Sequence, residues 1–166
     1  SFGEAITRAA LSELFPARTF VKTRSPKWLG GLELDCYNER LRLAFEYQGI
    51  QHYKYVPFFH DGDPRRFTAQ RLRDQRKRDA AYDEWVVIVE VPYTVPYSQI
   101  RAFVHREVYL LGYSTAETPL SDPEFLSKVR VEGTLAVAML DRARDIAHSH
   151  GGSCLSDVYL ECHSPL

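Results

Sequence analysis

The sequence predicts an α/β domain: a mixed β-sheet flanked by helices, with a small helical extension at its C-terminal end. Three observations predict it. Two stretches of strict two-residue alternation, 32–37 and 41–48, flank a turn and read as a hairpin. A near-continuous apolar run, Trp85 to Val91, follows a long basic helical stretch and reads as a strand buried on both faces. Helical periodicity brackets both features. The chain has 166 residues, 45% hydrophobic and 26% charged. That composition is ordinary for a globular domain, not for a disordered or low-complexity one. A domain of this size buries roughly 70% of its unfolded surface, so it needs neither metal nor disulfide to fold. No apolar run approaches the ~18 residues of a membrane helix, so no membrane partner is expected. Ser1-Phe2-Gly3-Glu4 shows no signal-peptide pattern.

Each element has its own signal. Residues 3–15 place Ile6, Ala9, Ala10 and Leu14 near a 3.6-residue period, and Pro16 stops the helix. Residues 16–31 are a loop or short strand, closed by Gly30-Gly31. In 32–37, Leu32, Leu34 and Cys36 share one face and Glu33, Asp35 and Tyr37 the other. Asn38-Glu39-Arg40 supplies the turn. In 41–48, Leu41, Leu43, Phe45 and Tyr47 alternate with Arg42, Ala44, Glu46 and Gln48. Residues 54–64 form an aromatic-rich loop ending in Asp61-Gly62-Asp63-Pro64, and a basic helix runs from about 66 to 82. Pro92 and Pro96 end the apolar strand, and residues 98–111 form a helix closed by Gly112. Residues 1–112 are thus expected to be the core, and 113–166 an extension. Its clearest element is an amphipathic helix over 134–148, capped by Gly151-Gly152.

Charge and cysteine usage narrow the function. The net charge is −1, but the fourteen residues from Arg65 to Arg78 hold seven basic residues against Asp74 alone. That stretch carries +6 and the remainder −7. It reads either as a solvated helix face or as a phosphate-contacting patch formed by Arg65, Arg66, Arg71, Arg73, Arg76 and Arg78. Cys36, Cys154 and Cys162 form no CxxC, which argues against a disulfide framework and against a complete zinc site. A reducing, intracellular compartment is the expectation.

The chemistry-bearing residues lie on the hairpin. A turn near Arg40 sets Asp35 and Glu46 on adjacent antiparallel strands, opposite or nearly so and on one face. Gln48, two residues on, points the same way. Two neighbouring carboxylates repel unless a cation sits between them. Mg²⁺ needs only one or two carboxylates besides water and phosphate. The plain alternative is a solvated strand face.

Glu33-Leu34-Asp35 followed by Leu43-Ala44-Phe45-Glu46-Tyr47-Gln48-Gly49-Ile50-Gln51-His52-Tyr53 resembles the PD-(D/E)XK, or restriction-endonuclease-like, nuclease superfamily. The resemblance spans residues 3 to about 95. It continues through Arg73-Asp74, Lys77 and the run Val87 to Pro92. It implies a restriction-endonuclease-like core, with Glu4, Asp35 and Glu46 as ligands of Mg²⁺, for which Mn²⁺ substitutes. The partner it implies is DNA, and it leaves a homodimer open. His52 also looks like a histidine position of very-short-patch-repair-like and EDxHD nucleases. The third-motif lysine of the superfamily is Gln48 here. Glutamine orients and donates a neutral hydrogen bond but brings no charge, so Lys77, or His52 as acid or base, is expected to compensate. Gly151-Gly152-Ser153-Cys154 to Tyr159 is similar to the start of repeat modules that hold zinc further downstream, so no zinc is expected in this stretch. The reading is a metal-dependent DNA endonuclease. Its rivals are a DNA-binding module with a degenerate centre and a non-catalytic interaction domain.

Overall fold

The computed structural model describes residues 1–116, 119–126 and 128–129. The helix expected over 134–148, its glycine cap, and the tail with Cys154 and Cys162 lie outside the described residues. The elements run α1 (Phe2–Leu14), β1 (Val21–Thr23), β2 (Leu34–Asn38), β3 (Leu43–Gln48), α2 (Pro64–Asp83), β4 (Val87–Pro92) and α3 (Tyr97–Leu110). Short 3₁₀ turns at Lys27–Leu29 and Ile50–His52 precede β2 and follow β3. The four strands form one mixed sheet in the order β1-β2-β3-β4. β1 to β3 are antiparallel neighbours, and β4 runs parallel to β3 after the α2 crossover. The α/β class and the helix-flanked mixed sheet are therefore as expected, and the loop-or-strand segment after α1 contains a strand.

Both sheet faces are covered. On one, α1 and α3 bury Ile6, Ala10, Leu11, Ile100, Val104 and Val108 against Cys36, Leu43, Phe45 and Val91. Gly3 lets α1 approach closely, since a Cβ there would overlap the Tyr47 ring. The other face is thinner. Leu29, Leu34, Tyr37, Ala44, Ala81 and Val86 form a small cluster under the C-terminal end of α2. Ala81 is the one buried residue of α2. Asp63 caps that helix through its side chain, with Pro64 at the first turn.

Two expectations need correction. The run Trp85–Val91 packs on both faces but is only partly buried: Val89 and Val91 meet the larger cluster and Val86 and Ile88 the smaller, while β4 is an edge strand of the described sheet, Trp85 is 84% exposed and only Val91 is fully buried. An apolar run records β propensity and burial together, and here the propensity of valine and isoleucine accounts for much of it. The strict alternation in β2 also breaks, because the β1–β2 register shifts between Val21↔Tyr37 and Thr23↔Leu34. An extra residue in one strand re-aims its side chains. Leu34 and Tyr37 consequently meet in the same small cluster.

The segment after α3 folds back onto the core. The Ala116 amide donates to the Leu14 carbonyl at 2.9 Å, and Phe125 and Val129 enter the larger apolar cluster. A buried carboxylate organises this return. Glu13 accepts two bonds from Arg101 at 2.5 and 3.0 Å, one from the Leu120 amide at 2.7 Å, and lies 2.9 Å from His105 Nε2. The Arg101 guanidinium lies over the Phe125 ring, 4.4 Å from its centre. Burial works to raise the Glu13 pKa, but these donors outweigh it and hold the carboxyl below its ordinary value. Glu13→Ala would leave the Leu120 amide without its acceptor and Arg101 with only Asp122 and the Leu120 carbonyl, and should cost about 2–4 kcal/mol in denaturant titrations. Because the folded-state pKa is depressed, the stabilisation is present above the unfolded value near 4.5 and fades as pH falls through the folded one. The gap between wild type and Glu13→Gln should narrow on acidification.

Candidate active site

Pairing of Cys36 with Phe45, Tyr37 with Ala44 and Asn38 with Leu43 fixes the hairpin register. Carried one residue further, that register sets Asp35 across from Glu46. Both turn toward α2, and parallel pairing sets Glu46 beside Glu90 of β4. The α2 face of the sheet thus carries acids where a covered sheet normally carries apolar side chains. A cavity of ≈390 Å³ brings Asp35, Glu46, His52, Arg73, Asp74 and Lys77 together.

Within it, Lys77 Nζ donates to Glu46 Oε2 at 2.5 Å, with the two side chains 13% and 5% exposed. Lys77, one of the two residues expected to compensate for Gln48, thus turns its ammonium toward the acidic cluster. Glu46 Oε1 is buried with no hydrogen-bond partner. Burial outweighs the Lys77 charge, and with the neighbouring Asp35 charge pushes the Glu46 carboxyl up to about 7. His52 Nδ1 lies 2.8 Å from Asp74 Oδ2. Burial opposes ionisation of Asp74, but His52, Lys77 and Arg78 hold its carboxyl below the usual value.

Glu4 stands slightly apart. It closes a capping box with Ser1 at the start of α1 and does not line the cavity. Its carboxylate is tied to the site through cations. Arg8 Nη2 bridges Glu4 Oε1 at 2.5 Å and the Asp35 carbonyl at 3.1 Å. Lys22 Nζ lies 3.1 Å from Glu4, 3.2 Å from Glu33 and 3.3 Å from Asp35. Burial disfavours the charged Lys22, but these three acids prevail and raise its pKa. Lys22 was missed in the sequence. It sits on a three-residue strand with no periodic signal, and only the β1–β2 pairing brings it to Asp35.

Among the described residues, no three His, Cys, Asp or Glu side chains converge as metal ligands. The smaller set fits a hard divalent cation. Asp35 and Glu46 share one cavity, and the buried Glu46 Oε1, which has no hydrogen-bond partner, is an oxygen of the kind such a cation takes. Mg²⁺ completes its octahedron with water and substrate oxygens, so two carboxylates suffice.

Gln48 is 4% exposed and lines a second cavity, of ≈480 Å³, with Tyr53, Phe67, Arg71 and Arg78. His52 and Asp74 border both cavities. Of the basic run, Arg73 lines the first cavity and Arg71 and Arg78 the second, while Arg65, Arg66 and Arg76 line neither. Arg65 pairs with Asp63, Arg66 with Asp61 and Arg78 with Glu90. His60, also overlooked in the sequence, anchors the preceding loop. It is buried, its Nδ1 lies 2.8 Å from the Val56 carbonyl and 3.1 Å from the Val56 amide, and its ring stacks on Tyr55. Phe58 and Phe59 are left exposed on that loop. Among the described residues, no helix is long and apolar enough to cross a membrane.

The chain is 43% identical over 82 residues to the uncharacterized protein 307L of Invertebrate iridescent virus 6, covering 49% of this chain and 40% of that protein. It is 36% identical over 99 residues to the uncharacterized protein 033L of Invertebrate iridescent virus 3, covering 60% and 50%. It is 43% identical over 100 residues to the uncharacterized protein 094L of Frog virus 3, covering 57% and 64%. The chain thus spans less than two thirds of each of these relatives. No family model and no solved structure matches it.

The raised Glu46 pKa has a measurable consequence. Between about 4.5 and 7 the folded state holds a proton that the unfolded state has lost. Stability from this group therefore falls as pH rises through that window. Thermal midpoints of the metal-free protein, compared with those of Glu46→Gln between pH 5 and 8, should show wild type losing ground as pH rises. Parallel curves would mean that Glu46 ionises normally.

Proposed function

We propose that this chain is a metal-dependent DNA endonuclease centred on Asp35 and Glu46, with a restriction-endonuclease-like core. The observation that carries it is the first cavity. Two strand carboxylates share it, Glu46 with one buried oxygen that has no hydrogen-bond partner, and Lys77 of the basic helix donates to the other Glu46 oxygen at 2.5 Å. A surface decoration would not bury a carboxylate at this cost, and groups so perturbed cluster at functional sites.

A divalent cation held by Asp35 and Glu46 would polarise the scissile phosphate and lower the pKa of bound water. Lys77 supplies the fixed positive charge that Gln48 does not, directed at charge building on the phosphate. Asp74 accepts from His52 Nδ1–H, which leaves Nε2 as the group to exchange a proton with the attacking or leaving oxygen. Glu4 acts through Lys22 and Arg8, positioning Asp35. Arg71 and Arg73, exposed beside the two cavities, contact the sugar–phosphate backbone and give affinity without sequence information.

Three assays test this reading. Asp35→Ala should abolish Mg²⁺- or Mn²⁺-dependent cleavage of DNA while leaving the circular dichroism spectrum unchanged; full activity in that variant refutes it. Lys77→Ala should lower single-turnover rates by roughly 10²-fold, the scale for loss of one charge-stabilising donor, with little change in DNA affinity. Affinity should fall with salt, and replacing Arg71, Arg73 and Arg76 by glutamine should lower the log–log slope by about 0.9 for each phosphate no longer neutralised. Salt-dependent binding without any cleavage would favour the degenerate-centre reading instead.

A further inference from the structure

The second cavity has a character of its own. Of the residues lining it, Gln48 has a side-chain carbonyl that is buried and has no hydrogen-bond partner. A buried acceptor left unpaired is costly, so it points to something that donates to it. Two aromatic rings, Phe67 and Tyr53, line the same space. Its two carboxylates are already engaged: Asp74 with His52 at 2.8 Å, and Glu90 with Arg78 at 2.8 Å. No carboxylate there is open to a metal ion, and Arg71 adds an exposed positive charge at the rim. The space is larger than a nucleobase needs and lies in the ordinary range of small-molecule sites.

An occupant must therefore be planar enough to stack on rings, carry an N–H donor on its edge, and bear a negative group for the arginine. We infer that this cavity is a nucleotide subsite, which seats one unpaired nucleotide of the substrate strand. Its base lies against Phe67 and Tyr53, its edge donates to Gln48 Oε1, and its phosphate lies at Arg71. The inference rests on the nuclease reading for its meaning, because His52 and Asp74 border both cavities and set this subsite directly beside the proposed scissile position. It makes the preferred substrate a strand with an unpaired nucleotide next to the cut, rather than plain duplex. It also gives Gln48 a task other than that of the lysine it replaces: holding a base, not stabilising phosphate charge.

The test separates the subsite from the catalysis. Calorimetric titration of the full chain in EDTA would compare 5′-dAMP, deoxyribose 5-phosphate and inorganic phosphate. The nucleotide should bind about tenfold or more tightly than the sugar phosphate, the scale of base–aromatic stacking. Phe67→Leu and Gln48→Met should each erase most of that preference, and Arg71→Gln should weaken both organic phosphates alike. Phe67 also packs edge-on against His60; if Phe67→Leu fails to fold, the exposed Tyr53→Ala takes its place. A duplex with a one-nucleotide bulge should bind more tightly than a fully paired duplex, and lose that advantage in the same variants. Equal affinity for the three small probes, or equal affinity for the two duplexes, overturns the subsite. Mg²⁺-dependent cleavage is measured alongside. Cleavage without any base preference removes the subsite and keeps the nuclease. A base preference without cleavage keeps the subsite and removes the nuclease.

Discussion

The pairing of Lys77 with Glu46 is the interaction on which the arrangement of this protein turns. α2 buries a single residue, Ala81, near its C-terminal end. Apart from the Phe67–His60 ring contact, the helix meets the sheet and the β3–α2 connection mainly through polar pairs: Lys77 to Glu46, Arg78 to Glu90, and Asp74 to His52. Ion pairs of this kind contribute little net stability, because desolvation offsets most of their attraction. An apolar helix face over apolar strands would hold better. The polar seam makes physical sense only as something other than a fastening, and it leaves two water-accessible cavities between helix and sheet.

The two faces of the sheet divide the work. The α1–α3 side supplies the large apolar cluster, reinforced by the Glu13–Arg101 clasp that ties the returning segment down. The α2 side supplies only six buried apolar residues among those described and gives the rest of its area to polar groups, the buried Glu46 and Gln48 among them. Such an imbalance is the usual pattern where function overrides local consistency. Removing one member of a buried pair costs more than the pair itself is worth, so each acid there is held in place by the penalty of leaving its partner alone. Lys22 and Lys77 illustrate this from opposite sides of the cluster: one ammonium bridges Glu4, Glu33 and Asp35, the other meets Glu46. Together they neutralise carboxylates that would otherwise repel one another.

What could be read directly from the residues was whatever obeys a period. The two-residue alternation around Asn38 is enough to build the hairpin and, through it, to bring Asp35 and Glu46 together. Helical spacing puts Asp74 and Lys77 on one side of α2, and the structure turns that side toward the acids. What could not be read was whatever depends on a single long-range placement. The register shift beside Leu34 leaves no trace in composition. Lys22 acquires its role only when a three-residue strand pairs with β2. Glu13 looks like one more polar residue on an amphipathic helix until Arg101, 88 positions away, closes over it. The edge position of β4 follows from the sheet order, and an apolar run alone does not reveal sheet order.

The border between the two cavities is made of one pair. His52 follows β3 by way of the 3₁₀ turn at Ile50–His52, and Asp74 comes from the middle of α2. Neither backbone is fixed by extensive burial nearby, yet their side chains meet at 2.8 Å. Asp74, held as a carboxylate, orients the imidazole and favours the tautomer with the proton on Nδ1, which leaves Nε2 to act on whatever lies in the cavities. The Glu46–Lys77 pair stands on one side of this border, and the Gln48 acceptor with its rings on the other. A strand that alternates Glu46 and Gln48 toward the same helix therefore presents two different chemistries within two residues. The histidine between them is the one side chain, together with Asp74, that both cavities share.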